Sequence, residues 1–180
     1  DTKMTFIQHF LPGQALEENA HTSIGIQSAW YKDRWTVGAD FEVTEGELRE
    51  YQPDPTTGSD FLVATIPAGE HYNYQVDANT QALFARYQWP LTDATKLTAG
   101  ARWERVQYDY DNLMLTGRTR DDGTACARGG CRFNRPADRQ DTFSNLSPQL
   151  GLTHLITAEQ QLYANLSRGF RAPQTSELYR

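Results

Sequence analysis

Hydrophobic and polar residues alternate one for one over residues 35–44. The apolar members are Trp35, Val37, Ala39, Phe41 and Val43. Successive side chains of a β-strand point to opposite faces, so a strand here has one apolar face and one polar face. The pattern predicts long amphipathic strands, and it recurs at Ile24, Ile26 and Trp30 and at Leu97, Ala99, Ala101 and Trp103.

Seven such strands are predicted, joined by connections that alternate between short and long. Their ranges are 4–11, 21–31, 34–45, 76–89, 96–110, 143–156 and 160–170. About 30 residues separate the third strand from the fourth, and about 32 separate the fifth from the sixth, which is unusual in a compact soluble domain. Outer-membrane barrels have short periplasmic turns and long extracellular loops. We therefore expect an all-β fold: an antiparallel transmembrane β-barrel segment of about seven strands in this orientation.

The alternation changes phase inside two of the predicted strands. In 76–89 the apolar positions are even up to Ala78 and odd from Leu83 onward, and in 96–110 they shift after Arg105. A β-bulge produces such a shift, and so does a strand that rises above the bilayer. Both explanations keep the strands.

Composition fits a two-faced membrane sheet. The 180 residues are 38% hydrophobic and 12% aromatic, and their net charge is -6. No apolar run approaches the roughly 18 residues of a membrane helix, but a strand crosses lipid in about 9 to 11 residues. An acidic chain does not provide the broad basic surface that nucleic acid requires, so nucleic acid is not an expected partner.

The number of strands bears on domain organisation. A bacterial barrel made from one chain closes with an even number of strands, and an open sheet edge cannot lie in lipid. Seven is odd. We therefore expect residues 1–180 to be a partial barrel, one segment of a longer chain.

The last strand and its continuation resemble the barrel signature of TonB-dependent outer-membrane receptors. Residues 161–179 read QLYANLSRGFRAPQTSELY, and the segments VGAD at 37–40 and LTAGARWE at 97–104 resemble two further strands of that family, in the same order. The matching signature positions are Tyr163, Ser167, Arg168, Gly169, Phe170, Arg171, Pro173, Glu177, Leu178 and Tyr179.

We interpret this signature as structural. Glu177 is expected to form an ion pair with Arg168 or Arg171, or with a plug domain. Pro173 is expected to end the strand, because it removes a hydrogen-bond donor, and Gly169 to permit a bend or a close backbone approach.

The resemblance implies active import across the outer membrane of Gram-negative bacteria. Receptors of this family are 22-stranded barrels whose lumen holds an N-terminal plug domain, and TonB acts on that plug. The resemblance implies a scarce ligand, most often a ferric siderophore or another iron chelate, and contact with outer-membrane lipid and lipopolysaccharide. The plug and the remaining strands are not in this sequence, so the segment alone is not expected to transport.

Cys126 and Cys131 lie in the motif CARGGC of the second long loop. Outside a bacterium this spacing favours a disulfide, provided that the Cα atoms approach within about 7 Å. A metal site is the alternative, but it needs further ligands and no His lies in that loop.

The same loop is basic within an acidic chain. Its charged residues are Arg118, Arg120, Arg128, Arg132, Arg135 and Arg139 against Asp121, Asp122 and Asp138. Guanidinium groups bind anions in a forked geometry, so we predict that Arg128 and Arg132 help to bind an anionic ligand such as a ferric chelate. The alternatives are contact with lipopolysaccharide phosphates or simple solvation.

The first long loop is aromatic and rich in proline, with a short apolar patch, FLVATI, at 61–66. Stacking surfaces suit planar ligands such as catecholates or haem. We predict ligand-binding roles for four of its residues: Tyr51, His71, Tyr72 and Tyr74. The alternatives are that the loop packs on its own rings or adds a hairpin above the membrane.

Enzymatic chemistry has no sequence support. Phosphate-binding, dinucleotide-binding, zinc-protease and nucleophile-elbow motifs are all missing, so we expect no catalytic residue, no metal site and no cofactor. A barrel lipase or protease would need a Ser/His pair, but Ser147 and His154 have opposite facing parity on one predicted strand. The remaining alternative is a soluble or surface β-sheet module that binds ligands or acts as an adhesin without transport.

Overall fold

The computed structural model describes residues 2–7 and 14–180, with side chains from residue 15 onward. It contains one seven-stranded antiparallel sheet in which each strand pairs with its neighbours in sequence order. The strands are β1 (Thr2–Ile7), β2 (Gln14–Lys32), β3 (Trp35–Gln52), β4 (Gly69–Pro90), β5 (Thr95–Asn112), β6 (Arg139–Leu155) and β7 (Gln161–Ser167). Two short helices, α1 (Asp60–Thr65) and α2 (Thr175–Tyr179), lie outside the sheet. The predicted fold class and strand order are confirmed, although this sheet is open, with β1 and β7 at its edges.

Most strands are longer than predicted at the end next to the long connections. The predicted strand 34–45 continues to Gln52, and the predicted strand 76–89 already begins at Gly69. The long connections are therefore only 53–68 and 113–138, while 33–34, 91–94 and 156–160 are tight links. Of the predicted first strand 4–11, residues 8–11 lie outside the described residues.

One face of the sheet, which we call the outer face, is apolar in the half near the tight links. Ile26 pairs with Phe41, and Leu83 lies between Ala39 and Trp103 on the neighbouring strands. Ile26 is 69% exposed and Leu83 57% exposed. Within the described residues neither a helix nor a second sheet covers these side chains, so hydrocarbon is the environment that they fit. Neither described helix is long and apolar enough to cross a membrane.

The phase changes of β4 and β5 are not bulges. These strands pair without interruption from Tyr74 opposite Asn112 to Pro90 opposite Lys96. The backbone keeps its geometry, and the apolar side chains move from the outer face to the opposite, inner face. This is the behaviour of strands that rise above the bilayer, so the bulge explanation is wrong at these positions.

Pro148 explains why β7 stops at Ser167. The amide of Arg168 donates to the carbonyl of Pro148 at 3.1 Å, but proline has no N–H to return the second bond of the pair. The predicted role of Pro173 as the strand end is therefore wrong. Gly169 does not mark a close approach either, since nothing lies within 4 Å of the position of a Cβ there.

After Arg168 the chain leaves the sheet and crosses the inner face. We call residues 168–180, which include α2, the strap. Together with connection 113–138, the strap covers the inner face at the end of the sheet away from the tight links.

Candidate functional site

The inner face near the tight links is polar and contains an ion-pair network. Arg102 pairs with Asp40 across the sheet and with Glu104 on its own strand, where Nε and Oε2 are 3.2 Å apart. The ring of Phe84 lies over Gly38, where a Cβ would come within 2.3 Å of it. A charged inner face behind a lipid-facing outer face is the arrangement of a barrel wall around a plugged or aqueous lumen.

The other end of the inner face holds the main buried core, which we call the loop-end cluster. Its members are Tyr72, Tyr74, Val76, Tyr110, Cys126, Cys131, Phe133 and Tyr179. The Tyr110 and Tyr179 rings stack with centroids 4.1 Å apart, and the Tyr74 ring lies 5.2 Å from Tyr110. Burial raises the pKa of both Tyr74 and Tyr110 to about 12. These phenols therefore stay neutral, and the cluster acts as an apolar core that joins the strap and connection 113–138 to β4 and β5.

The strap is held by hydrogen bonds as well as by ring packing. The Tyr108 hydroxyl donates to the Pro173 carbonyl at 3.2 Å, and the Tyr179 hydroxyl donates to Asp141 Oδ2 at 3.0 Å. Glu177 accepts from Arg171 at 2.9 Å and from the Gln174 amide at 2.7 Å, which closes the first turn of α2. Of the two arginines considered for Glu177, the structure pairs it with Arg171.

Arg180, at the end of the strap, reaches β2 and β3 on the inner face of the sheet. Its guanidinium donates to Glu17 on β2 at 2.7 Å and also to Glu50 on β3, and it lies 5.5 Å from the Tyr72 ring centroid. Glu17 and Glu50 are both buried, so this contact neutralises carboxylates that are costly to leave unpaired. A cavity of about 530 Å³ lies beside α2 on the inner face, lined among others by Tyr108.

Connection 113–138 is folded around one buried guanidinium. Arg135 is 1% exposed, and it donates to the carbonyls of Leu115 at 2.7 Å, His71 at 3.2 Å, Thr119 at 2.6 Å and Arg120 at 3.1 Å. Burial lowers the pKa of Arg135. Arg135 thus joins both sides of the connection to β4, and its charge is not available to a ligand.

The structure joins Cys126 and Cys131 by a disulfide, with Cα atoms 4.9 Å apart. The ring that it closes contains Gly129 and Gly130, which have φ angles of 92° and 107°. Glycine adopts this left-handed region without steric cost. Both cysteines are buried in the loop-end cluster, so the disulfide belongs to the core of the connection.

The arginines of this connection divide into engaged and available side chains. Arg118 donates to the Cys131 carbonyl at 2.8 Å. Arg139, which the structure places at the start of β6, makes two bonds to Asp141, at 2.7 and 2.6 Å. Arg128 and Arg132 are exposed, and within residues 15–180 neither has a carboxylate partner. The local positive charge that can meet a ligand is therefore smaller than the sequence count indicates, and it includes the two arginines predicted to bind.

Three residues predicted to lie in the first long loop are instead part of a strand. His71, Tyr72 and Tyr74 are in β4 and are buried. The His71 ring stacks on Phe133 at 4.4 Å, and its Nε2 donates to the Pro67 carbonyl at 2.8 Å. The prediction that these three lie in a loop is wrong. β4 continues beyond the apolar band, and there the residues on its outer face are polar, so the alternation that predicts a strand is lost.

Tyr51 also lies in a strand, at the end of β3, where it is half-buried. The Arg49 guanidinium lies 4.9 Å from its ring centroid. The shortened first loop contains α1, formed by residues of the predicted apolar patch, and Ser59 caps this helix by accepting from the Leu62 amide at 3.4 Å. Among the described residues, no group of three or more His, Cys, Asp or Glu side chains is placed to hold a metal ion.

Sequence reasoning missed several residues that organise this end of the molecule. Arg135, Glu17 and Arg180 have no local signal, because their partners are distant in sequence. Tyr110 had one: the phase change after Arg105 placed Val106, Tyr108 and Tyr110 on the face that the loop-end cluster uses.

The comparisons with known proteins agree with this architecture. The family model described as TonB dependent receptor-like, beta-barrel, matches residues 6–180. The chain belongs to the TonB-dependent receptor family. Members of this family are outer-membrane proteins of Gram-negative bacteria, and the family is one of receptors and transporters rather than a class of enzymes. No curated protein matches the chain significantly in sequence.

Among solved structures, the copper transporter OprC has a similar fold. The TM-score is 0.55 at 15% sequence identity, over 90% of this chain and 24% of the OprC chain. At this identity the likeness shows the fold alone. The present segment of a TonB-dependent receptor spans only about a quarter of that protein's length.

Proposed function

We propose that this chain is part of the barrel wall of a receptor for TonB-dependent active uptake across the outer membrane. The observation that carries the proposal is a two-faced antiparallel sheet, with an exposed apolar outer face and a charged inner face, in a chain matched to the receptor family over residues 6–180. The outer face meets lipid and, above it, lipopolysaccharide. The inner face lines a lumen that is filled by a plug domain from another part of the receptor. TonB acts on that plug.

The proposed cargo is an anionic iron chelate, such as a ferric siderophore. Arg128 and Arg132 support it, since both guanidinium groups are exposed on the loop side and have no carboxylate partner among the side chains described. A guanidinium without an internal partner binds carboxylate or catecholate oxygens through paired N–H donors.

The test is uptake of radiolabelled ferric chelates by iron-starved cells that carry the complete receptor gene. We expect uptake to stop when TonB is deleted. The double variant Arg128→Ala with Arg132→Ala should raise the half-saturating concentration about tenfold or more, as expected for two lost charge-assisted contacts. Arg34→Ala is the matched control, because Arg34 is an exposed arginine in the tight link at the opposite end of the sheet.

The similarity to OprC gives a second candidate cargo, copper. The same cells should be assayed with radiolabelled copper. TonB-dependent copper uptake without chelate uptake would replace the proposed cargo and keep the proposed mechanism, whereas uptake of either that is unaffected by TonB deletion contradicts the mechanism.

A further inference from the structure

Helix α1 carries two large apolar side chains on the loop surface. Phe61 is 42% exposed and Val63 is 47% exposed, whereas Thr65 and Ile66 at the end of the helix are buried. The guanidinium of Arg132, from the other long connection, lies 5.9 Å from the centroid of the Phe61 ring. An exposed ring and an exposed cation therefore meet where the two long connections touch.

This meeting point is held by the backbone. The Arg132 amide donates to the Thr65 carbonyl at 3.0 Å, and the adjacent Cys131 is tied to Cys126. On the other side, Thr56 donates to the Ile66 carbonyl at 2.6 Å, which fixes the end of α1. A binding surface built on such fixed segments loses little conformational entropy when a ligand binds.

Arg132, the arginine at this meeting point, has a free guanidinium, unlike Arg135 and Arg118. Arg135, three residues later, is buried against carbonyl groups, and Arg118 bonds to the Cys131 carbonyl. Arg132 has the Phe61 ring as its side-chain contact and no carboxylate within the described part of the chain. A cation beside an exposed ring favours a ligand that is both aromatic and anionic, because one ligand group can stack on the ring while another receives the guanidinium N–H donors.

We propose that Phe61 and Arg132 form a binding subsite for an aromatic anion, such as the catecholate arm of a ferric chelate. The subsite deepens the proposed function and depends on it for its biological role. It replaces, as the aromatic part of the capture surface, Tyr72 and Tyr74, which belong to the buried loop-end cluster, and His71, which is buried against Phe133.

The experiment measures binding to the complete receptor, purified in detergent, by equilibrium dialysis. The probe is the ferric complex of a hexadentate tris-catecholamide, an aromatic anion. A cationic ferric tris-hydroxamate without aromatic rings is the matched probe. We expect Phe61→Leu and Arg132→Ala each to weaken binding of the catecholate complex about tenfold, Phe61→Tyr to retain most of it, and the hydroxamate to bind weakly to every variant.

Several outcomes overturn the subsite. One is that the catecholate complex does not bind measurably to the unaltered receptor, and another is that Phe61→Leu binds it equally well. A third is binding that depends on Arg132 alone and is displaced by inorganic pyrophosphate. That result would indicate a phosphate-binding surface, such as one for lipopolysaccharide. Binding is measured without TonB, so the two proposals fail separately: ring-dependent binding with no uptake in cells contradicts the proposed function and leaves the subsite standing.

Discussion

The two ends of this sheet place their apolar side chains on opposite faces. Near the tight links, the outer face exposes Ile26 and Leu83 while the inner face carries the Arg102 network. Near the long connections, the inner face buries Tyr74 and Tyr110 beneath the strap. The same strands, β4 and β5, run through both ends without a change in register. One backbone therefore serves two arrangements: one end exposes its apolar side chains on the outer face, and the other end buries them in a core that the protein itself supplies.

The two ends should therefore respond differently to substitution. The lipid-facing half has few internal apolar contacts to lose, but it cannot accept charge on its outer face. The loop-end half accepts charge on its outer face and depends on buried rings within. Substitutions at matched positions separate these two modes of stabilisation.

The largest effect is expected at the loop-end core. Tyr110→Ala should lower the free energy of unfolding by about 3 kcal/mol or more, the range for large-to-small changes in a core, because Tyr110 packs against both Tyr74 and Tyr179. Urea unfolding of the complete receptor, with hydrogen exchange of 113–138 and 168–180, measures this change.

Tyr110→Phe is the control for that substitution. The Tyr110 hydroxyl has no hydrogen-bond partner among the described residues, so its removal should be nearly neutral or slightly stabilising. Equal destabilisation by both substitutions would show that the ring stack is not what holds this end together.

A somewhat smaller effect is expected on the lipid-facing half. Ile26→Arg places a charge in the apolar band and should cost about 2 to 4 kcal/mol in a bilayer, whereas Gln27→Arg places the same side chain on the inner face and should cost little. Unfolding of the receptor refolded in lipid vesicles measures both. If the two variants were equally stable, the outer face would not face lipid.

The smallest effect concerns pH and the attachment of the strap. The hydrogen bonds from Arg139, followed by that from Tyr179, hold the pKa of Asp141 below its usual value. The stability gained is therefore complete above the unfolded pKa of about 3.9, and it is lost as pH falls through the lower folded pKa. Hydrogen exchange of 168–180 should rise below about pH 4.

Asp141→Asn supplies the comparison for that measurement. Asparagine does not titrate, so the variant should show a looser strap at neutral pH and no further step in that acid window. A step of unchanged size in the variant would assign the pH dependence to another group.

The sequence predicted the lipid-facing half well and the loop-end half poorly, for a reason visible in particular residues. Trp35, Val37 and Phe41 alternate with polar residues because the strand has one apolar face and one polar face, so their pattern is local. At 69–75 the outer face is polar because it meets water, and Tyr72 and Tyr74 resembled loop aromatics. The roles of Arg135, Glu17 and Arg180 depend on partners far along the chain, and Pro148 ends a strand that is not its own.

The number and order of the strands, their apolar face and the receptor signature could be predicted because each depends on residues that are close together in the chain. The length of the strands, the burial of Arg135 and the contact between α1 and Arg132 became visible only in the folded chain. Burial and charge pairing depend on which distant segments come together, and a periodic pattern of residues contains no information about that.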